Sequence, residues 1–144
     1  MAEQIAEYRD ERGEIVVHQH VPGVLSSRAS GFLTMGIAKL LIDVADRQSA
    51  MTRRGVVHFM DWRDVTGYDS EGRTLCTNWA VRTKPSPELH ILSSARLVRM
   101  GVTAAAMLLT VAGRDMALRS YEALAVFERA LDERVASMAP RARP

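Results

Sequence analysis

The sequence has few of the residues that mark secreted, membrane or nucleic-acid-binding proteins. Cys76 is its single cysteine, so no disulfide can form within the chain, and a reducing cytoplasmic location is expected. The charged N-terminus lacks the apolar run of a signal peptide. The most apolar segment, residues 102–112, is too short to cross a bilayer. Neither secretion nor membrane insertion is expected.

An excess of charge of one sign is also lacking. The 19 basic and 17 acidic residues leave a formal net charge of +2, and the two signs are interleaved along the chain rather than gathered into blocks. A nucleic-acid-binding domain concentrates its basic residues in a patch or stripe. Nucleic acid is therefore not an expected partner.

The residues that are present suffice for one folded domain. Hydrophobic residues make up 47% of the 144 and charged residues 25%, which is typical of a soluble globular protein. A chain of this length buries a substantial core, and no linker or internal repeat divides it. We expect a single domain over residues 1–144, with its core between about 14 and 135 and a frayed tail at 139–144.

The first third of the chain predicts a hairpin followed by a helix. Residues 14–21 and 24–31 carry the β-branched and alternating pattern of strands on either side of the turn pair Pro22-Gly23. Apolar residues then recur at helical spacing after Thr34. We expect Thr34 to cap this helix at its start, the helix to run to about Arg53, and Gly55 to close it.

The middle third predicts a buried strand, a polar turn and a second helix. Residues 56–60 form a continuous apolar run, as expected of a strand covered by helices on both faces. Residues 61–68 are rich in aspartate and predict an acidic turn. A helix over residues 70–83 follows, in which Leu75 and Trp79 share one face, so Trp79 is expected to pack in the core.

The last third predicts a strand at 88–94, a buried helix at 97–112, an edge strand at 115–120 and a final helix capped by Ser120. The elements thus follow the order ββαβαβαβα. Because parallel strands need helical crossovers, this order predicts an α/β fold with a mixed, mostly parallel sheet of about five strands and four helices.

The stretch Asp69-Ser70-Glu71-Gly72 opens the second predicted helix. At this place in the order it resembles the STAS domain of anti-sigma-factor antagonists, which has the SpoIIAA-like fold and a D-S-S-G motif whose first serine accepts a phosphate from a partner kinase. Ser70 matches that serine, whereas Glu71 stands where the family has its second serine. The resemblance implies a regulatory, non-enzymatic domain that binds a kinase or an anti-sigma-like protein.

Other stretches are similar to a branch of small bacterial proteins related to STAS and to SEC-fourteen or CRAL-TRIO-like domains. They are residues 58–62, residues 67–70, Trp79 and residues 96–102, and the similarity spans about 14–135. The CRAL-TRIO side of this resemblance implies an alternative function, the binding of a small apolar ligand or a lipid. The apolar third helix predicts a pocket or a homodimer face for that alternative, and its residues are Met100, Val102, Met107 and Leu108. A structural homo-oligomer is the remaining alternative.

Two interpretations of Ser70 follow from its place at a helix start. A helix N-terminus has unpaired N–H groups and a partial positive charge, so a phosphate there is stabilised, and its added negative charge would change any surface that docks over it. The simpler interpretation is that Asp69 or Ser70 only caps the helix.

We predict that the interaction surface surrounds this helix start. Its members are Asp61, Trp62, Asp64, Tyr68, Asp69, Ser70, Glu71 and Arg73. If exposed, Trp62 and Tyr68 anchor the partner, and otherwise they pack in the core. The four carboxylates of the stretch either bind a divalent cation or accept hydrogen bonds from turn backbone, and the absence of an EF-hand spacing favours the second.

Sites for catalysis and metal binding have weaker support. His18 and His20 share one face of a predicted strand at a spacing that some metal sites use, but no further ligands are placed beside them, and such histidines are more often exposed at an edge or hydrogen-bonded in a core. No nucleophile, phosphate-loop or zinc-protease motif is present. We therefore predict no catalytic residue, no metal and no cofactor.

Overall fold

The computed structural model describes residues 2–94, 96, 101 and 118–139. Within them the chain forms six strands and three helices in an α/β arrangement, as predicted. The strands are β1 (Glu3–Arg9), β2 (Gly13–Val21), β3 (Val24–Leu33), β4 (Val57–Tyr68), β5 (Glu88–Leu92) and β6 (Leu118–Tyr121). The helices are α1 (Met35–Thr52), α2 (Ser70–Arg82) and α3 (Leu124–Met138). None of these helices is long and apolar enough to cross a membrane.

The strands lie side by side in sequence order, with β1 at one edge of the sheet and β6 at the other. The first three form an antiparallel meander, and β3 to β6 run parallel. Parallel neighbours need crossovers, and α1 and α2 supply them on either side of β4. The mostly parallel mixed sheet is confirmed, with six strands in place of about five.

The two faces of the sheet bury separate clusters. On one face, Leu25 and Val65 pack with Ile37 of α1, and all three are almost fully buried. On the other face, Phe59 and Leu92 pack against Phe127 of α3. Successive residues of a strand point to opposite faces, so β4 contributes to both layers. The sheet therefore lies between α1 and α2 on one side and α3 on the other.

Strand β1 was not predicted, because the charged N-terminus does not read as a strand. Its side chains alternate between solvent and core, with Ala6 and Tyr8 packed against the first cluster and Glu7 exposed. Among the described strands it pairs with β2 alone, and charged residues are common on such edge strands. The core thus begins before residue 14.

The predicted acidic turn at residues 61–68 is wrong, because these residues are the second half of β4. The polar residues alternate with Trp62, Val65 and Gly67, which lie on the inner side. The stretch pairs with β3 at both of its ends, with two irregularities in the register between them, and Arg28 forms an ion pair with Asp64 across the two strands at 2.9 Å. Asp64 therefore marks an exposed position of a long strand, whereas Asp61 is partly buried.

Two predicted helix-terminal roles are wrong, those of Gly55 and Ser120. Helix α1 ends at Thr52, close to the predicted end at about Arg53, and Arg53 has a left-handed backbone (φ 57°) and donates its N–H to the Ser49 carbonyl. Gly55 serves a different need, since a Cβ there would lie 2.1 Å from the Ser86 carbonyl oxygen. Ser120 does not cap α3, because it lies within β6, and α3 begins after Ala123 without a side-chain cap. The predicted edge strand is otherwise confirmed over residues 118–120.

The predicted cap of α1 is confirmed and is tied to the β1–β2 hairpin. Thr34 Oγ1 accepts a hydrogen bond from the Ile37 N–H and donates one to Asp10 at 2.6 Å. Asp10 also accepts the N–H groups of Arg12 and Gly13. The hydrogen bond from Thr34, with those from the backbone, lowers the pKa of Asp10 to about 2. The predicted helix at 97–112 lies outside the described residues, apart from Gly101.

Candidate functional site

The first turn of α2 begins where β4 ends, and Asp69 caps it. Asp69 Oδ1 accepts the Glu71 N–H at 2.9 Å, and the Asp69 N–H bonds the Leu33 carbonyl at the end of β3. Ser70 is exposed, and its carbonyl accepts the Thr74 hydroxyl. Of the two residues proposed as the cap, Asp69 therefore fills this role, which leaves the Ser70 side chain on the surface beside the helix N-terminus.

The assignment of the cap makes a prediction about stability. Asp69→Ala should lower the free energy of unfolding by about 1 kcal/mol, because an N–H at the helix start loses its acceptor. Asp69→Asn keeps an acceptor and should cost less, and Ser70→Ala should change little. Urea denaturation of the three variants measures the differences. Equal losses for Asp69→Ala and Ser70→Ala would contradict the assignment.

A cavity of about 140 Å³ lies beside this turn, between α1, α2 and the β4–β5 part of the sheet. Most of its lining is apolar and comes from all of these elements. Typical lining residues are Ile37, Leu41, Met60, Trp62, Cys76 and Ile91. The charged lining residues, Asp69 and Arg73, belong to the cap and first turn of α2. The cavity and the helix start therefore form one continuous region of the molecule.

The titratable groups in the depth of the cavity are uncharged at neutral pH. His58 is buried, and its Nε2 hydrogen-bonds Ser27 Oγ at 2.9 Å. Burial lowers the pKa of His58 to about 4 and raises the pKa of the Cys76 thiol to about 11. A thiol with such a high pKa is a poor nucleophile. The cavity wall is thus suited to contact with an apolar group rather than to acid–base or thiol chemistry.

One buried polar atom among the described lining residues has no hydrogen-bond partner. The indole Nε1 of Trp62 is buried and has no hydrogen-bond acceptor among the described residues. Trp79 differs, because its Nε1 donates to Asp46 Oδ1 at 2.8 Å at the protein surface. Both tryptophans are lining residues of the cavity. A buried donor without an acceptor is costly, so its presence calls for an explanation.

The architecture and this site can be compared with known proteins. No protein-family model and no curated protein matches the sequence. An uncharacterized protein of the DUF3478 family from Shewanella loihica PV-4, with a SpoIIAA-like fold, superposes with a TM-score of 0.56 at 12% identity. The match covers 91% of this chain and 95% of that one. The chain has the SpoIIAA-like fold.

A second solved structure agrees with this assignment. It is an anti-sigma factor antagonist from Mycobacterium paratuberculosis, which is 17% identical and has a TM-score of 0.54. The match covers 83% of this chain and 94% of that one. The resemblance found in the sequence is therefore confirmed at the level of the fold.

The residues of the predicted interaction surface do not form one patch, because those on β4 lie on both of its faces. Asp61 lies on the α3 side, where Arg63 binds it at 2.8 Å and also experiences the charge of Glu128. Asp64 is exposed and paired with Arg28. These ion pairs account for both carboxylates without a cation. The part of the surface that stays together is the first turn of α2, with Asp69, Ser70, Glu71 and Arg73.

The two aromatic residues of the predicted surface are half-buried. Trp62 packs against the core, and Tyr68 lines the cavity beside Gly101, where a Cβ would lie 2.8 Å from the Tyr68 hydroxyl oxygen. Of the two interpretations, packing in the core describes Trp62 better than anchoring of a partner. Met100, Val102, Met107 and Leu108, predicted for a pocket or dimer face, lie outside the described residues.

Three of the four histidines, His20, His58 and His90, are engaged in hydrogen bonds. His20 Nε2 and Ser26 Oγ are 2.7 Å apart, and no group of three or more metal-binding side chains occurs in the described part of the chain. His90 stacks on Phe59 and hydrogen-bonds both Tyr121 and Glu88 at 2.7 Å. Arg134 of α3 completes this group through Glu88. The His90 group thereby fastens α3 to β5 and β6.

Proposed function

We propose that this SpoIIAA-like domain is a non-catalytic regulatory domain that binds a protein partner through the first turn of α2, and that phosphorylation of Ser70 controls the binding. The observation that carries the proposal is the division of roles at the helix start. Asp69 supplies the cap, so the exposed Ser70 hydroxyl is not needed to hold the helix. The fold shared with an anti-sigma factor antagonist supports the same function.

The local charge pattern fits such a switch. A phosphate on Ser70 adds about −1.5 to −2 charges beside the partial positive charge of the α2 N-terminus. Arg73 is exposed and lies one helical turn further on, where side chains three residues apart are neighbours. The phosphate is therefore tolerated within the domain. The added charge lies in the interface with a partner bound to this turn. It therefore lowers the affinity of the partner for the domain.

Binding by variants of Ser70 tests this proposal. Ser70→Ala should bind the partner as the wild type does, and Ser70→Asp should bind at least about 10-fold more weakly, because it places a charge in the interface. Affinity capture from extracts of the native organism with quantitative mass spectrometry would identify a kinase or anti-sigma-like partner and any phosphate on the Ser70 peptide. Ser137→Asp on exposed α3 is the matched control for added charge.

Two results would contradict the proposal. One is equal partner binding by Ser70→Ala and Ser70→Asp, which would remove Ser70 from the interface. The other is a partner lost equally from Ser70→Asp and Ser137→Asp, which would make the effect one of net charge. Light scattering on the same preparations would measure whether the domain forms a homodimer.

A further inference from the structure

Strand β1 forms an edge of the sheet whose outer side, the open edge, pairs with no strand among the described residues. The Asp10 N–H donates to the Gly13 carbonyl at 3.0 Å, so these two residues form a hydrogen-bonded pair of the antiparallel β1–β2 ladder. Because bonded pairs occur at every second residue of such a ladder, Tyr8 also bonds to β2, whereas Glu7 and Arg9 do not. The backbone N–H and C=O groups of Glu7 and Arg9 therefore point to the open edge.

The pairing of β2 with β3 agrees with this assignment. The Phe32 N–H donates to the Arg12 carbonyl at 2.9 Å, so Glu14 and Val16 are bonded residues of the β2–β3 ladder. They are also the β2 residues that lie opposite the two outward-pointing residues of β1. Their backbone groups thus bond to β3 and are not available to β1.

The side chains at the open edge carry opposite charges at alternate positions. Glu7 and Arg9 are both exposed and lie on the same face of β1. Arg9 contacts Glu14 of its own chain at 3.5 Å, but 83% of its side chain is exposed, so the guanidinium retains donors for a second carboxylate. Glu7 accepts a hydrogen bond from Gln4 Nε2 at 3.4 Å. Both charges are therefore accessible to a strand that adds to this edge.

We propose that β1 pairs in antiparallel orientation with β1 of a second copy of this chain, related by a two-fold axis at Tyr8. In this register Glu7 lies opposite Arg9 of the second copy, and Arg9 lies opposite Glu7 of the second copy. The outward N–H and C=O groups of these residues then form hydrogen bonds across the axis, and the opposite charges form cross-strand pairs. The two half-buried Tyr8 side chains lie opposite each other on the α1 side of the sheet. The same edge of both copies thus forms an isologous interface.

Other registers and other strands fit this edge less well. An axis at Glu7 or at Arg9 would place like charges directly opposite each other, which is destabilising. An axis at Ala6 would bring in Ile5, where the register of β1 is irregular. A foreign strand with charges of one sign would also place a like charge opposite one of the two residues. Charges on an edge strand usually prevent unselective pairing, whereas alternating signs select the same edge of a second copy.

Reversal of single charges tests the register. In sedimentation equilibrium between about 10 µM and about 1 mM, the wild type should pass from monomer to dimer, as expected of a small interface. Glu7→Arg places a like charge opposite Arg9 of the second copy, and Arg9→Glu does the same opposite Glu7. Each variant should therefore dimerise about 10-fold more weakly or worse. Glu133→Arg, at an exposed position of α3, is the control for the change in charge and should dimerise as the wild type does.

The two single variants are complementary to each other, because one carries only basic and the other only acidic side chains at these positions. An equimolar mixture of Glu7→Arg and Arg9→Glu should therefore form a heterodimer, and the double variant should form a homodimer again. Hydrogen exchange measures the backbone pairing in the wild type. The amides of Glu7 and Arg9 should become protected as the concentration rises, whereas the Glu14 amide, which bonds to β3, should not change.

The proposal is overturned if the wild type stays monomeric over this range of concentration, or if both single variants dimerise as the wild type does. It is also overturned if the two variants do not associate when they are mixed. None of these results depends on Ser70 or on a different protein partner, so the regulatory proposal stands or falls separately.

Discussion

Lowering the pH from 7 to 5 should reduce the free energy of unfolding by about 2 kcal/mol, mainly through His58. Burial lowers the pKa of His58 to about 4, whereas the ordinary value is 6.5. The unfolded chain therefore binds a proton between these values and the folded protein does not. The stability is fully present above pH 6.5 and is lost as the pH falls towards 4, at about 1.4 kcal/mol per unit.

The other titrating groups act in the same direction or at lower pH. Burial also lowers the pKa values of His20 and His90, which adds to the loss between pH 7 and 5. The pKa of Asp10 is about 2, so the contribution of Asp10 to the free energy of unfolding is lost only at a pH below this range. The histidines thus dominate the chosen range of pH.

Urea denaturation at several pH values, on the wild type and on His58→Gln, measures the contribution of His58. Glutamine keeps a polar group near Ser27 but does not titrate. The variant should lose most of the dependence on pH, whatever its stability at pH 7. If both proteins lost stability equally between pH 7 and 5, His58 would not be the group responsible.

Phe59→Ala should lower the free energy of unfolding by about 3–5 kcal/mol, the largest effect expected of a single truncation here. Phe59 is 1% exposed, stacks on His90 at 4.1 Å between ring centroids and meets the edge of Phe127 at 5.6 Å. The substitution leaves a void between the sheet and α3. It also takes away the ring that packs on His90, whose hydrogen bonds hold β5, β6 and α3 together.

A matched truncation separates this effect from the general cost of losing an aromatic ring. Phe32 is half-buried at the end of β3, where Arg12 covers its ring at 3.9 Å. Phe32→Ala should therefore cost clearly less than Phe59→Ala in the same urea experiment. Similar losses for the two variants would show that the packing beneath α3 is not the main support of the fold.

The elements whose buried side follows a regular apolar spacing could be predicted from the sequence. The strand at β5 and the helices α1 and α2 were predicted close to their true bounds, because apolar periodicity dictates which side of an element is buried. The order of the elements and the resemblance at Asp69-Ser70 together predicted the SpoIIAA-like fold. The chemistry at the start of α2 was also visible, since aspartate before a helix is a common cap.

The remaining features depend on contacts between distant parts of the chain. Residues 61–68 look like a turn until they are seen to pair with β3 from Asp61 to Tyr68, with two irregularities in the register. Gly55 looks like a helix stop, yet its role is set by the backbone of Ser86. The predicted pocket on the apolar third helix lies outside the described residues and stays a prediction, whereas the sequence did not indicate that Ile37 and Leu41 of α1 line a cavity. The spacing of residue types along the sequence does not show which distant residues will be in contact.

The sequential order of the strands has a consequence for how the protein is made. Each of the six described strands pairs with its neighbour in the chain, and the buried members of the cluster beneath α1 all come from residues 15–65. As the polypeptide leaves the ribosome, each new strand finds its pairing edge already synthesised, and loop closure stays short. The N-terminal half can therefore assemble its core during translation, before α3 has emerged to cover the opposite face.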